Sequence, residues 1–543
     1  MSEITQQALE GLVRLRVPRR LRERDHTLWR PEPREIADRL GWFDAGDFLR
    51  PHLPDLAAFV SDVCGEGYRD VVLLGMGGSS LGPEVLRRSF LGGASASGEY
   101  PRLTLLDSTV PGEVAAVTAA VDPAHTLFIV SSKSGGTIET LSFYRHFRDL
   151  AEAALSLRSH PGEGSAGANF IAITDAGTPL ERLGRESGFR RVFLNPADIG
   201  GRYSVLSWFG MLPAALAGID VSRLLDSAAV MRDRCLSDDP EINPGLRLGA
   251  LLGAMTLAGR DKVTLITPSP IDSFGLWVEQ MIAESLGKEG RGVIPVAGEP
   301  LLSPDCYGDD RLFVYLRPAN GQKADRAVED LEAAGQPVER LDLAGCYDLG
   351  AEFFRWEYAT AVAGSMLDVH PFDQPDVQGA KDNTDRLLEV FFDQGRLPDL
   401  PATRPELAGG SLAALLGQAR PGDYLAVMSY LPSDAEVDGL LDELRSRVMR
   451  RCRIATTAGY GPRYLHSTGQ LHKGGPGSGL YLQLTLGNHG QLPIPGQRYG
   501  FDVLAAAQSI GDYQALSNLG RRVISINLGG DAVSGLQRLL DEL

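Results

Sequence analysis

Between residues 71 and 195 five short apolar runs, VVLLG, LTLLD, TLFIVS, FIAIT and RVFLN, alternate with segments of helical length. Runs this short and this apolar can be buried on both faces. A helix-length connection returns the chain so that the next strand lies parallel to the last. The pattern therefore holds the chain to an α/β fold, a parallel sheet covered by helices. In such folds ligands sit outside the carboxyl ends of the strands. Two of these ends carry loops of small polar residues.

The run at 126–130 passes into SSKSGGT at 131–137, and a helical segment begins at Thr137. Backbone N–H groups and the positive end of a helix dipole converge there. Ser132, Ser134 and Thr137 add hydroxyl donors and Lys133 adds a point charge. The natural ligand is a phosphate carried by a small molecule, although an ordinary strand-to-helix turn also favours Gly, Ser and Thr. The Lys precedes the glycines, so the loop is not the GxxxxGK[ST] nucleotide loop. A second turn, GMGGSSLG at 75–82, is a near-match to a dinucleotide fingerprint with Ser80 where the third Gly would stand. An NAD enzyme is not expected on that basis. Two hydroxyl-rich turns on successive βα units suggest one phosphate cradled from two sides, with Gly78 and Ser79 opposite the main loop.

A net charge of −17 argues against nucleic acid or an anionic membrane as a general partner. The five cysteines are scattered and form no CxxC or Cys/His cluster, which excludes a zinc site or a disulfide framework from the expectation. The first residues have no continuous apolar core, and no stretch of about 18 apolar residues occurs, so neither a signal peptide nor a membrane span is expected. The cytoplasm is the default location.

At 543 residues two or three domains are expected. Residues 1–50 read as a helical, peripheral segment and 51–235 as the first α/β domain. A second begins with VTLIT (263–267), GVIPV (292–296) and LFVYL (312–316), followed by a helix at 353–367, and spans 236–400. Pro, Gly and Arg at 396–411 mark a surface loop. YLAVMSY, RIATTAG, LYLQLTL and RVISINL then form a C-terminal α/β segment, 401–543, either its own domain or the completion of the second.

Six segments carry unusual polar residues: GGSS from Gly77, the SSKSGGT loop, GGRYS from Gly200, AES from Ala283, FDQP from Phe372 with Lys381, and HSTGQ from His466. Together, from about residue 25 to the end, they resemble glucose-6-phosphate isomerase (phosphoglucose isomerase), a family built from two sugar-isomerase (SIS) domains. GGSSLGP and SSKSGGTIET look like its phosphate loops, GGRYS its arginine turn, AESLGK its glutamate segment, FDQPDVQGAK its lysine signature and LHSTGQ its histidine segment. The order is closest to the isomerase half of bacterial bifunctional transaldolase/phosphoglucose isomerase. DHTLW near the start is similar to the junction that follows the transaldolase part there.

The resemblance implies two SIS-type domains with parallel sheets covered by helices, and reversible isomerisation of glucose 6-phosphate to fructose 6-phosphate, a step of glycolysis and gluconeogenesis. It implies a homodimer with a phosphosugar as partner and no metal or cofactor. A broader isomerase also taking mannose 6-phosphate, and a phosphosugar-binding regulator without chemistry, are the alternatives; a sensor would need only the phosphate loops.

By itself Glu284, on a segment of helical spacing, reads as a solvated face; the resemblance makes it the base that moves a proton between C1 and C2. Arg202, otherwise a turn arginine, is implied to place its fixed charge beside the enediolate. Lys381, at a helix start, and His466 are implied to open the sugar ring. Gly201, Gln374 and Glu139 are supports, and Asp373 is structural. The histidine segment follows the lysine signature, whereas in the commoner isomerases it precedes it, so a rearranged second domain is expected. The resemblance also suggests that His466 reaches the site across a dimer interface.

Overall fold

The computed structural model describes residues 3–90, 98–156, 166–319, 324–487 and 490–543. Its first sheet contains β1 (Asp70–Gly75), β2 (Arg102–Leu106), β3 (Thr126–Ser131), β4 (Phe170–Asp175) and β5 (Arg191–Asn195), all parallel, in the order β2-β1-β3-β4-β5. Every residue of β1, β3 and β4 is buried, as strands covered on both faces require, while the edge strands β2 and β5 are partly exposed. The chain leaves β1 to one side for β2 and returns on the other for β3. That reversal opens a crevice at the carboxyl ends of β1 and β3. Gly75 pairs with Ser131, so the two hydroxyl-rich turns leave the sheet side by side.

The second half holds two further parallel sheets. One contains β6 (Lys262–Ile266), β7 (Ile294–Val296), β8 (Arg311–Pro318) and β9 (Val338–Leu343) in the order β7-β6-β8-β9. The other contains β10 (Ala402–Thr403), β11 (Tyr424–Ser429), β12 (Ala455–Tyr460), β13 (Gly479–Thr485) and β14 (Arg522–Asn527) in the order β10-β14-β13-β11-β12. With the short edge strand β10 set aside, the three sheets share one winding: β2, β7 and β12 lie outside β1, β6 and β11, and β3, β8 and β13 lie on their inner sides. The apolar period of the chain thus specifies the same unit three times.

The two later sheets meet at their β7 and β12 edges. Glu299, just after β7, accepts from the Thr456 N–H of β12 at 2.7 Å and pairs with the buried Arg311 of β8 at 2.7 Å. Arg445 crosses the same seam to the carbonyls of Ala297 at 3.1 Å and Gly298 at 2.6 Å.

The parallel α/β layering expected from the apolar runs is what the chain adopts. Three details differ. Residues 1–50 are helical but not peripheral: Leu9, Leu12, Trp29, Trp42 and Phe43 belong to the main core, and the Trp29 indole donates to the Ala361 carbonyl at 2.8 Å. The segment at 396–411 is not all loop, since β10 and the start of the helix Ala408–Leu416 fall in it. Strand β9, whose VERLDL alternates charged and apolar residues at a sheet edge, lacks the continuous apolar run by which the others are read. No helix among the described residues is long and apolar enough to cross a membrane.

Candidate active site

The loop after β3 closes on itself. Ser132 Oγ and Thr137 Oγ1 are 2.9 Å apart, and the Gly135 N–H donates to Ser132 Oγ at 3.1 Å. Gly135 has φ +68°, and a side chain there would strike Thr178 and Leu180. The helix Ile138–Ser156 starts directly behind the loop and adds its dipole. Ser134 and Thr137 border a cavity of about 250 Å³ whose other walls include Glu139, Lys381, His466 and Gln508. Lys133 does not border it: its ammonium is held by the Asp175 carboxylate and by the Ala197 carbonyl at 3.0 Å. A cation expected to meet the phosphate is instead engaged beside the end of β4, because Asp175 stands alongside the loop.

Glu284 lies on the helix Phe274–Leu286, which follows β6, and is 6% exposed. Its Oε2 is 3.4 Å from Arg202 Nη1 and 3.4 Å from Gln280 Nε2, one helical turn earlier. Burial pushes its carboxyl up, and Arg202 and His466 offset only part of that rise. Arg202, on the turn Gly201–Tyr203, is buried. Its other donors reach Ser285 Oγ at 2.8 Å, Gln374 Oε1 at 2.7 Å, and the Pro371 and Asp373 carbonyls at 2.8 and 2.9 Å. Gln374 thus meets the site through Arg202. Asp373 also takes the buried ammonium of Lys288, whose pKa burial lowers to about 7.

His466 ends the turn Arg463–His466 after β12, and its Nε2 is 2.9 Å from Glu139 Oε1. Burial raises the Glu139 carboxyl, but the charge and hydrogen bond of His466, with Lys381, bring it below the ordinary carboxylate range. Gln508 donates to the same Glu139 oxygen at 2.7 Å and accepts from Thr109 at 2.7 Å. Arg463 fixes the turn by pairing with Asp107 at 2.7 Å, and Asp107 also accepts from Ser80 at 3.1 Å. His466 thus borders the cavity beside Glu139 of its own chain. Lys381, in the first turn of the helix Gln378–Gln394, borders the cavity with an exposed side chain.

The remaining turns are joined by contacts only glycine allows. A Cβ on Gly78 would lie 2.1 Å from the Gly201 carbonyl oxygen. One on Gly77, at φ +54°, would lie 2.7 Å from the His466 carbonyl oxygen. The first glycine turn, with Ser79 buried in it, is thereby pressed between the arginine turn and the histidine turn.

All six polar segments thus meet around the crevice of the first sheet. Sequence reasoning missed Gln280, Gln508, Asp107 and Arg463. Gln280 had a signal, since it is four residues before Glu284 and so on the same helix face. The others bond across large sequence separations and carry no local mark.

A family model described as phosphoglucose isomerase matches residues 59–291. A probable glucose-6-phosphate isomerase of Methanococcus maripaludis is 28% identical over 353 residues, 58% of this chain and 78% of that one. A glucose-6-phosphate isomerase of Rubrobacter xylanophilus is 29% identical over 382 residues, 61% of this chain and 85% of that one. The solved structure of a glucose-6-phosphate isomerase from Chlamydia trachomatis superposes with a TM-score of 0.58 at 18% identity, over 71% of this chain and 86% of that one, and shows the shared fold. The matched segment holds both phosphate turns, the arginine turn and the glutamate helix, and over it the chain is similar to the phosphoglucose isomerases.

Proposed function

We propose that the protein interconverts glucose 6-phosphate and fructose 6-phosphate by ring opening and proton transfer through a cis-enediolate. One observation carries this reading: two acid–base pairs, Glu284 with Arg202 and His466 with Glu139, are joined through Gln280. That amide donates to Glu284 Oε2 at 3.4 Å and to the His466 carbonyl at 2.8 Å.

The phosphate sits against Ser132, Ser134 and Thr137, with Gly78 and Ser79 on the facing turn. His466 and Lys381 open the ring. One takes the O1 proton, the C1–O5 bond breaks, and the other delivers a proton to O5. Glu139 orients His466 through the hydrogen bond to its Nε2. Glu284 then removes the C2 proton of the open aldose, and the electron pair passes to the C1 carbonyl oxygen. The O2 hydroxyl proton passes to O1, and return of the first proton from Glu284 to C1 leaves the carbonyl at C2, which is the ketose. Burial makes Glu284 a stronger base than an exposed carboxylate, and the adjoining Arg202 favours its ionised form. The same guanidinium faces the negative charge of the enediolate.

A coupled assay that reduces NADP as fructose 6-phosphate becomes glucose 6-phosphate, run with a chelator, tests the reading. Turnover that Glu284→Gln abolishes is expected. Turnover unaffected by that change would remove this site from the reaction. The resemblance supports a homodimeric, cytoplasmic enzyme, which sedimentation velocity and cell fractionation test.

A further inference from the structure

The helix Phe274–Leu286 and the residue that caps it serve two sites. Gln280 and Glu284, four residues apart, face Arg202 and the turn that carries His466. Ser273, Leu276 and Glu279, three apart, line a cleft of about 600 Å³. It opens at the carboxyl ends of β6, β7 and β12, where the two later sheets meet. Parallel sheets bind ligands at that end, and the volume is that of a small-molecule site. Its lining shares no residue with the catalytic cavity.

Glu279 is 6% exposed on the wall of this cleft. Arg445 and Arg463 act on it through space, but no hydrogen bond to its carboxyl is made by any described residue. Ser273 Oγ, at the mouth, is buried and unpartnered too. Buried polar groups are normally satisfied, so two orphans on one wall point to a ligand.

The charges decide its sign. Three arginines line the cleft, and all are already engaged. Arg88 pairs with Asp272 at 2.7 Å, and Arg463 with Asp107 at 2.7 Å. Arg445 is held by the Ala297, Gly298 and Thr456 carbonyls and by Asp442. An anion finds no free cation here. The unmet capacity is that of a carboxyl, beside the hydroxyls of Thr267, Ser273 and Tyr460. Burial pushes Glu279 to about 8, as befits a carboxyl lacking a partner, and an adjacent cation would return it to the ionised form.

We propose that this cleft is a second ligand site, separate from the catalytic one, which takes a small hydroxylated cation of the amino-sugar class with its ammonium on Glu279. The proposal does not depend on the catalytic reading, because its test reads binding and not turnover.

Isothermal titration of the full chain with D-glucosamine, D-glucose and inorganic phosphate provides that test. D-glucosamine should bind once per chain. Its affinity should fall at least about tenfold in Glu279→Gln, the effect of losing one charge-assisted hydrogen bond, and also in Leu276→Trp, which fills the cleft. It should be unchanged in Glu284→Gln. Near-wild-type turnover on fructose 6-phosphate in both cleft variants would show that they fold. No binding to the wild type, equal binding to Glu279→Gln, tighter binding of D-glucose, or displacement by phosphate would each overturn the proposal.

Discussion

Arg202 Nη1 stands 3.4 Å from Glu284 Oε2, and the rest of the guanidinium is fastened to Ser285, Gln374 and two backbone carbonyls of the 371–373 segment. The carboxylate therefore meets a cation whose position it does not set. Glu284→Gln should keep sugar-phosphate binding and lower kcat by at least about 10²-fold, the lower end for a positioned acid–base group. Parallel measurement of turnover and inhibitor affinity checks this. Because burial raises the Glu284 carboxyl, the acid limb of kcat should fall at a pH above the ordinary carboxylate range. A profile flat down to pH 4 would contradict it.

Arg202→Lys should not be conservative. An ammonium cannot serve a hydroxyl, an amide and two carbonyls from one fixed plane. A loss of about 10²-fold or more in kcat/KM is expected, of the size seen for a lost transition-state donor. Activity within threefold of wild type would show that the charge alone matters.

The phosphate loop should fail in binding. Ser132→Ala with Thr137→Ala should raise KM about tenfold or more and leave kcat nearly intact, because substrate and transition state carry the same phosphate. A 5-phosphoarabinonate-type inhibitor should weaken in parallel. Lys133→Ala should change KM less than this pair does, since its ammonium is held by Asp175. Its larger effect should be on thermal stability.

His466→Ala should be slow on the cyclic sugar yet still exchange the C2 proton of an open-chain analogue with solvent, through Glu284. Glu139→Gln should weaken ring opening in the same direction. Both residues lie in one chain, so mixing Glu284→Gln and His466→Ala subunits should restore no activity after verified exchange. Recovery in the mixture would place the histidine of a partner in the site.

Glu279 gives a stability test with a definite sign. Its carboxyl rises from 4.5 to about 8 on folding, so between those values the folded chain binds more protons than the unfolded one. Its contribution to stability therefore falls as pH rises across that window. Glu279→Gln should raise the Tm relative to wild type at pH 8 and do so far less at pH 5. Equal shifts at the two pH values would show that Glu279 does not titrate in this window.

The sequence by itself determined what is local. Apolar runs that can be buried on both faces specified parallel strands, and small polar residues at their ends specified hydroxyl-rich turns. The roles of residues 202, 284, 381 and 466 came from the resemblance of their segments to the phosphoglucose isomerases, since each residue by itself reads as an ordinary turn or helix position. Only the tertiary structure decided what these segments do to one another. Glu139 and His466 are 327 residues apart, and nothing along the chain announces that they hydrogen-bond. Lys133 reads as a phosphate ligand until Asp175, on the neighbouring strand, takes its ammonium. Trp42 looks peripheral until its ring is packed against Tyr203 and Phe354. Glu279 reads as another charged position on a helix until two sheets bury it at their seam without a partner. Periodicity and turn chemistry act over a few residues and survive in the sequence. Pairing and desolvation depend on which distant surfaces close over a group, and packing alone sets that.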